Sequence, residues 1–177
     1  DLCCDSAHKM LPALTGAAML HTSDKDYADR LKQAMSFFGS TSPSYLIMAS
    51  LDLCNKYIRE SISGGIAENL RHIERLKAHF ADRLIFAESE PFHITVNCAE
   101  SGFDGNELAQ LLRDSGAECE YSDSSLLILL MSPMSDMKDY AKLTEALDKA
   151  VSAAEKHSPV TEKITLALPK KAMSIRK

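Results

Sequence analysis

Apolar and polar positions follow two periods along this 177-residue chain. Short apolar runs at Asp1–Cys4 and Gly16–Thr22 predict two strands. Asp24–Phe38 reads as a helix with an acidic residue at its N-terminal end. Ser42 followed by Pro43 predicts another helix start, a hydroxyl at the cap and a residue without an N–H at the first helical position. From Tyr45 to Ile58 apolar residues cover most of the circumference, which predicts a largely buried helix ended by Gly64 and Gly65. Ile66, Leu70, Ile73, Leu76, Phe80 and Leu84 then recur at helical spacing. They predict a long amphipathic helix, near 66–83, bridging two domains.

Beyond it the pattern is that of a compact α/β unit. Pro91–Cys98 reads as a strand, and Asp104 with Glu107 three positions on reads as a capping-box-like helix start, with a stop near Gly116. "AECEY" and "SLLILLMS" predict two strands around a turn at 122–124. Ser135 is the expected cap of a last helix that places Met137, Tyr140, Leu143, Leu147 and Val151 on one face. The expected layout is the C-terminal part of a large α/β domain over 1–62, a connecting helix over 63–84, an α/β small domain over 85–157 and a tail over 158–177. With most of its sheet absent, the first part is expected to expose apolar surface.

Composition narrows the function classes. Hydrophobic residues are 45% and charged residues 25%, enough apolar content for a core. The net charge of −5 gives no electrostatic case for nucleic acid or for a membrane surface. No apolar run is long enough for a bilayer span. The five cysteines are odd in number and contain no CxxC pair, which fits a reducing cytoplasm rather than a disulfide framework. Cys3 and Cys4 are expected as small apolar residues on a buried strand, and no metal site is expected. The first residues read as mid-strand and the last as a basic segment without a closing element. Both ends are therefore expected to be cuts through a larger protein.

The chemistry concentrates in "DSAHKMLPALTG", Asp5–Gly16. Lys9 follows a strand end, where α/β sheets place their ligands. Ser6 offers a hydroxyl and His8 a group that exchanges protons near neutrality. The apolar residues that follow are surroundings in which a free amine is favoured over an ammonium ion. Such a lysine can hold pyridoxal phosphate covalently.

Asp5–His21 resembles the cofactor-lysine segment of the bacterial ornithine/lysine/arginine decarboxylases, which has the form Ser-x-His-Lys followed by an apolar stretch. "FFGSTSPSYLIMASLD", Phe37–Asp52, resembles the next recognisable segment of that family, and "AMSIRK", Ala172–Lys177, resembles the join to its C-terminal domain. The resemblance implies a fold-type-I large domain and small domain, pyridoxal 5′-phosphate as cofactor and a small basic amino acid as substrate. It implies Lys9 as the covalent cofactor lysine and Ser6 as a phosphate ligand. His8 would lie beside the cofactor and assist proton transfer. Ser40 and Thr41 would be phosphate contacts, commonly to the neighbouring subunit's cofactor, so that a homodimer or higher oligomer shares its active sites. His21 has no such role and is expected to be structural or exposed. The family's pyridinium-pairing Asp, ring-stacking His and phosphate loop lie ahead of the lysine. Neither Asp1 nor Asp5 is assignable as that Asp, so the chain alone is expected to be inactive.

Two other readings stay open. An aminotransferase would commonly hold the substrate carboxylate with a small-domain Arg, and between Phe92 and Ser135 the only Arg is Arg113. A non-catalytic assembly or degenerate module is the third reading.

Overall fold

Strand β1, Leu2–Asp5, pairs antiparallel with β2, Met19–Thr22, in a two-stranded sheet whose register sets Cys3 opposite His21. Between them lies a single helical turn, α1, Ala7–Met10. The computed structural model describes residues 2–158, so the expected tail, apart from Ser158, lies outside the described residues. The chain divides into two compact units. Among the described residues, one holds 2–76 and Met131–Ala141, and the other holds Lys77–Leu130 and 142–158.

The first unit carries α2, Lys25–Phe38, and α3, Tyr45–Glu60. Asp24 caps α2 by accepting from the Asp26 amide at 2.9 Å, as its acidic start predicts. The cap of α3 is Ser44, two residues beyond the expected Ser42, and its hydroxyl accepts from the Ile47 amide. Burial in this unit departs from expectation. Cys54 is the single buried residue of α3, and Tyr45 and Leu46 are 82% and 74% exposed. Cys3 and Cys4 are exposed as well. In both places the apolar surface lacks a covering neighbour among the described residues: β1–β2 is a ribbon with no further strand beside it, and nothing buries Tyr45 and Leu46 of α3. The expected exposure of apolar surface in this part is observed at Leu14, Leu20, Phe37 and Phe38 too.

Helix α4, Ile62–His79, begins directly after a break at Ser61, and Gly64 and Gly65 lie inside it rather than ending a helix. Gly65 is required there by close approach, because a Cβ at that position would come within 2.5 Å of the Pro133 carbonyl oxygen. Asn69 of the same helix is 2% exposed and donates to the Gly65 and Pro133 carbonyls at 2.9 and 3.2 Å.

The second unit is built on a four-stranded antiparallel sheet of order β3-β4-β6-β5: Ile85–Phe86, His93–Asn97, Leu126–Leu130 and Tyr121–Ser122. Helix α4 ends at His79, so Phe80 and Leu84, both buried, lie beyond the helical run in which their spacing placed them. Leu127 and Leu129 alternate inward, as a half-buried strand requires. A short turn of helix, α5, Cys98–Ser101, precedes α6, Gly105–Asp114. Asp104 caps α6 as expected, accepting from the Asn106 and Glu107 amides. Helix α7, Met137–Ala153, follows, and Leu143, Leu147 and Val151 are buried, while Met137 is 68% exposed. The expected cap at Ser135 is corrected to Asp136, whose carboxylate accepts from the Lys138 and Asp139 amides. A carboxylate is the better partner for those N–H groups at the positive end of a helix.

The cysteines test this burial pattern. Burial pushes the Cys98 thiol up to about 12, with Asp104 and Asp123 adding to it. Cys3 is raised by its hydrogen bond to Asp5 and by that residue's charge. Brief alkylation of the native chain should label Cys4 first, then Cys3, with Cys119 partial and Cys54 and Cys98 protected until denaturant is added. Peptide mass spectrometry reads the order, and labelling of Cys98 as fast as Cys4 would contradict the burial of Cys98 at the start of α5.

Candidate active site

The three candidates nearest the start of the chain share one turn of backbone. Ser6 is the N-cap of α1 in extended conformation, and its side chain makes no capping hydrogen bond. The Lys9 amide donates to the Ser6 carbonyl at 3.2 Å, which closes the turn and sets the two residues on one short arc. Lys9 is exposed and forms no ion pair among the described residues. The apolar surroundings expected to favour its free amine are therefore not assembled around it. His8 is half-buried, and its Nδ1 lies 2.9 Å from the Ala17 carbonyl oxygen. Ala7 and Ala17, one on either side of the loop, are 3% and 1% exposed.

Asp5 is occupied elsewhere. Its carboxylate lies 3.1 Å from His21 Nε2 and accepts from the Cys3 thiol. That places His21 on the exposed face of the ribbon, consistent with a structural role.

Ser40 and Thr41 are exposed in the connection between α2 and α3. The Ser40 hydroxyl accepts from the Ser42 amide at 3.1 Å, a local turn bond. No hydrogen bond among the described residues joins this connection to Ser6, His8 or Lys9. What ties the lysine loop to α3 is Ser50, whose hydroxyl accepts from the Leu14 amide at 3.1 Å and donates to the Ile47 carbonyl at 2.8 Å. Sequence reasoning missed Ser50. The available signal was a serine inside the apolar first turns of α3, where it commonly bonds the preceding turn.

A primary amine, a hydroxyl not used by its own helix and an imidazole anchored through one nitrogen fit a phosphate-bearing aldehyde. Lys9 would hold it covalently, Ser6 would donate to its phosphate and His8 would lie beside it. Among the described residues no group of His, Cys, Asp or Glu could hold a metal ion, and no helix is long and apolar enough to cross a membrane.

The chain is similar to known proteins in sequence and in fold. The family model described as Orn/Lys/Arg decarboxylase, major domain, matches residues 2–98. An uncharacterized protein, YaaO, of Bacillus subtilis (strain 168) is 30% identical over 164 residues, covering 85% of this chain and 34% of its own length. An arginine decarboxylase of the same organism is 23% identical over 184 residues, covering 96% of this chain and 38% of its own. The chain thus spans little more than a third of the length of these curated relatives. The constitutive lysine decarboxylase of E. coli has a similar structure, with a TM-score of 0.64 at 18% identity over 83% of this chain and 28% of that one. That likeness shows the fold: α/β, of the pyridoxal-phosphate fold type I.

Proposed function

This chain belongs to the Orn/Lys/Arg decarboxylase family, and from that premise we propose that it is the lysine-bearing portion of a pyridoxal-phosphate-dependent decarboxylase of ornithine, lysine or arginine. The observation that carries the reading is the α1 turn, where Ser6, His8 and an exposed, unpaired Lys9 stand together. Lys9 would hold the cofactor through its carbonyl carbon, and Ser6 would donate its O–H to the phosphate. His8 and the Lys9 amine are the groups that return a proton to the α-carbon after the carboxylate leaves. When bound in this site, the cofactor would supply the electron sink for the pair left on that carbon. Ser40 and Thr41 contact the phosphate bound by a neighbouring subunit, so the working protein is a homodimer or a higher homo-oligomer. We place residues 1–62 in the large domain, 85–157 in the small domain, and the protein in the cytoplasm, serving polyamine-related metabolism.

An acidic partner for the pyridinium nitrogen is part of this chemistry, and Asp5 is bound to His21 and Cys3 instead. The 177-residue chain alone is therefore expected to bind the cofactor without releasing carbon dioxide from any of the three amino acids. Incubation with pyridoxal phosphate, borohydride reduction and peptide mapping should place the adduct on Lys9 and lose it in Lys9→Ala. An adduct spread evenly over the lysines, or unchanged in Lys9→Ala, would sink the assignment.

A further inference from the structure

The Ala17 carbonyl receives two groups from the same residue, the backbone N–H of His8 at 3.4 Å and, at 2.9 Å, the His8 ring through Nδ1. A carbonyl oxygen can only accept, so the ring nitrogen facing it must carry the hydrogen. Neutral His8 then keeps its lone pair on Nε2 alone. The carbonyl is aimed by a turn, because the Ala17 amide donates to the Leu14 carbonyl at 3.0 Å and Gly16 between them has φ +94°. The same turn is fastened to α3 by the Leu14–Ser50 bond.

We infer that Gly16 and Ala17 are positioning residues that fix the tautomer of His8, with hydrogen on Nδ1 and the proton-exchanging lone pair on Nε2. Resting on the functional reading above, this deepens it by naming the atom through which His8 acts. Nε2 accepts a proton when the ring is neutral and returns one when it is charged, while Nδ1 is engaged throughout. The requirement falls on Gly16 through its backbone and not through space. A Cβ there would meet Ile47 Cδ1 at 3.6 Å, an ordinary contact, but φ +94° strains any L side chain. Asn is the replacement most tolerant of positive φ.

The tautomer is read without any cofactor, by long-range proton–nitrogen correlation on the histidine-labelled 177-residue chain. The pH is set about two units above the ordinary imidazole value, and the His8 signal is assigned with His8→Gln. The expected result is a protonated Nδ1 and a bare Nε2 at His8. Gly16→Ala should lose that pattern and Gly16→Asn should largely restore it, with the other five histidine signals reporting whether each variant is folded. A bare Nδ1 in the unsubstituted chain overturns the inference whatever the variants do, and so does a folded Gly16→Ala with an unchanged His8 signal. The Lys9 adduct is a separate readout. Its absence alongside a protonated Nδ1 would defeat the functional reading and leave the positioning intact.

Discussion

Gly105→Ala is expected to destabilise the second unit by about 3 kcal/mol, the scale of overpacking against atoms that cannot move aside. Gly105 opens α6 and donates its N–H to the Ser124 carbonyl at 3.3 Å. An added methyl would run into the backbone carbonyl oxygens of Asp123 and Leu126, the latter at 2.6 Å. Neither can retreat. The Asp123 carboxylate accepts from the Ser125 and Leu126 amides at 2.7 and 2.8 Å and from the Tyr121 hydroxyl at 2.9 Å. Those bonds hold that carboxyl below its ordinary range, the backbone bond to Ser125 contributing most. Urea unfolding followed by far-UV dichroism measures the loss. Gly64→Ala is the control, since nothing lies within 4 Å of that position. In the first turn of α4 and unobstructed, it should be neutral or stabilise by up to about 0.5 kcal/mol. Equal effects at the two glycines would mean that α6 does not press on the 123–126 turn.

The second large effect is expected at Asn69. Its amide nitrogen serves the Gly65 and Pro133 carbonyls and its oxygen accepts from the Tyr140 hydroxyl at 2.8 Å, all in a site that is 2% exposed. Tyr140 is itself buried, stacked on His72 with centroids 4.9 Å apart, and burial pushes its hydroxyl up to about 12, with Asp139 adding to it. Asn69→Leu matches the volume and removes every one of those bonds, at an expected cost of about 2–3 kcal/mol. Tyr140→Phe removes the hydroxyl's bonds to the Asn69 side chain and backbone carbonyl and should cost about 1 kcal/mol. The double variant should cost less than the sum, because both singles break the same contact. Strict additivity would show that the two residues do not share it.

Local rules were legible wherever a short-range cause decides the outcome. Asp104 capping α6, Gly116 at φ +82° after it, and the alternation in Leu126–Leu130 follow from neighbours a few residues away. The helix break at Ser61 was misplaced because Gly64 and Gly65 look like a stop. Only the approach of Pro133, 68 residues beyond Gly65, explains a glycine inside the first turn of α4. The exposure of α3 and of Cys3 and Cys4 was misjudged at the level of single residues, although exposed apolar surface was expected of the region as a whole. Apolar content tells which residues favour burial, and burial requires a neighbour that the described residues do not supply. At the candidate site, the Ser6–Lys9 turn was readable as a motif. Ser50 and the Ala17 carbonyl were not, since each acts on the loop across the chain.

The β1–β2 ribbon has a thermodynamic consequence for ligand affinity. Two four-residue strands with every residue of β1 exposed are a weakly stable element, so the competent arrangement of the α1 turn between them is occupied for only part of the time. The apparent dissociation constant of any ligand of that turn is its intrinsic value divided by the occupied fraction. A substitution far from Lys9 that stiffens the ribbon should therefore tighten binding without touching the ligand. Conversely, saturating ligand should slow amide exchange in Leu2–Asp5 and Met19–Thr22 more than anywhere else in the chain.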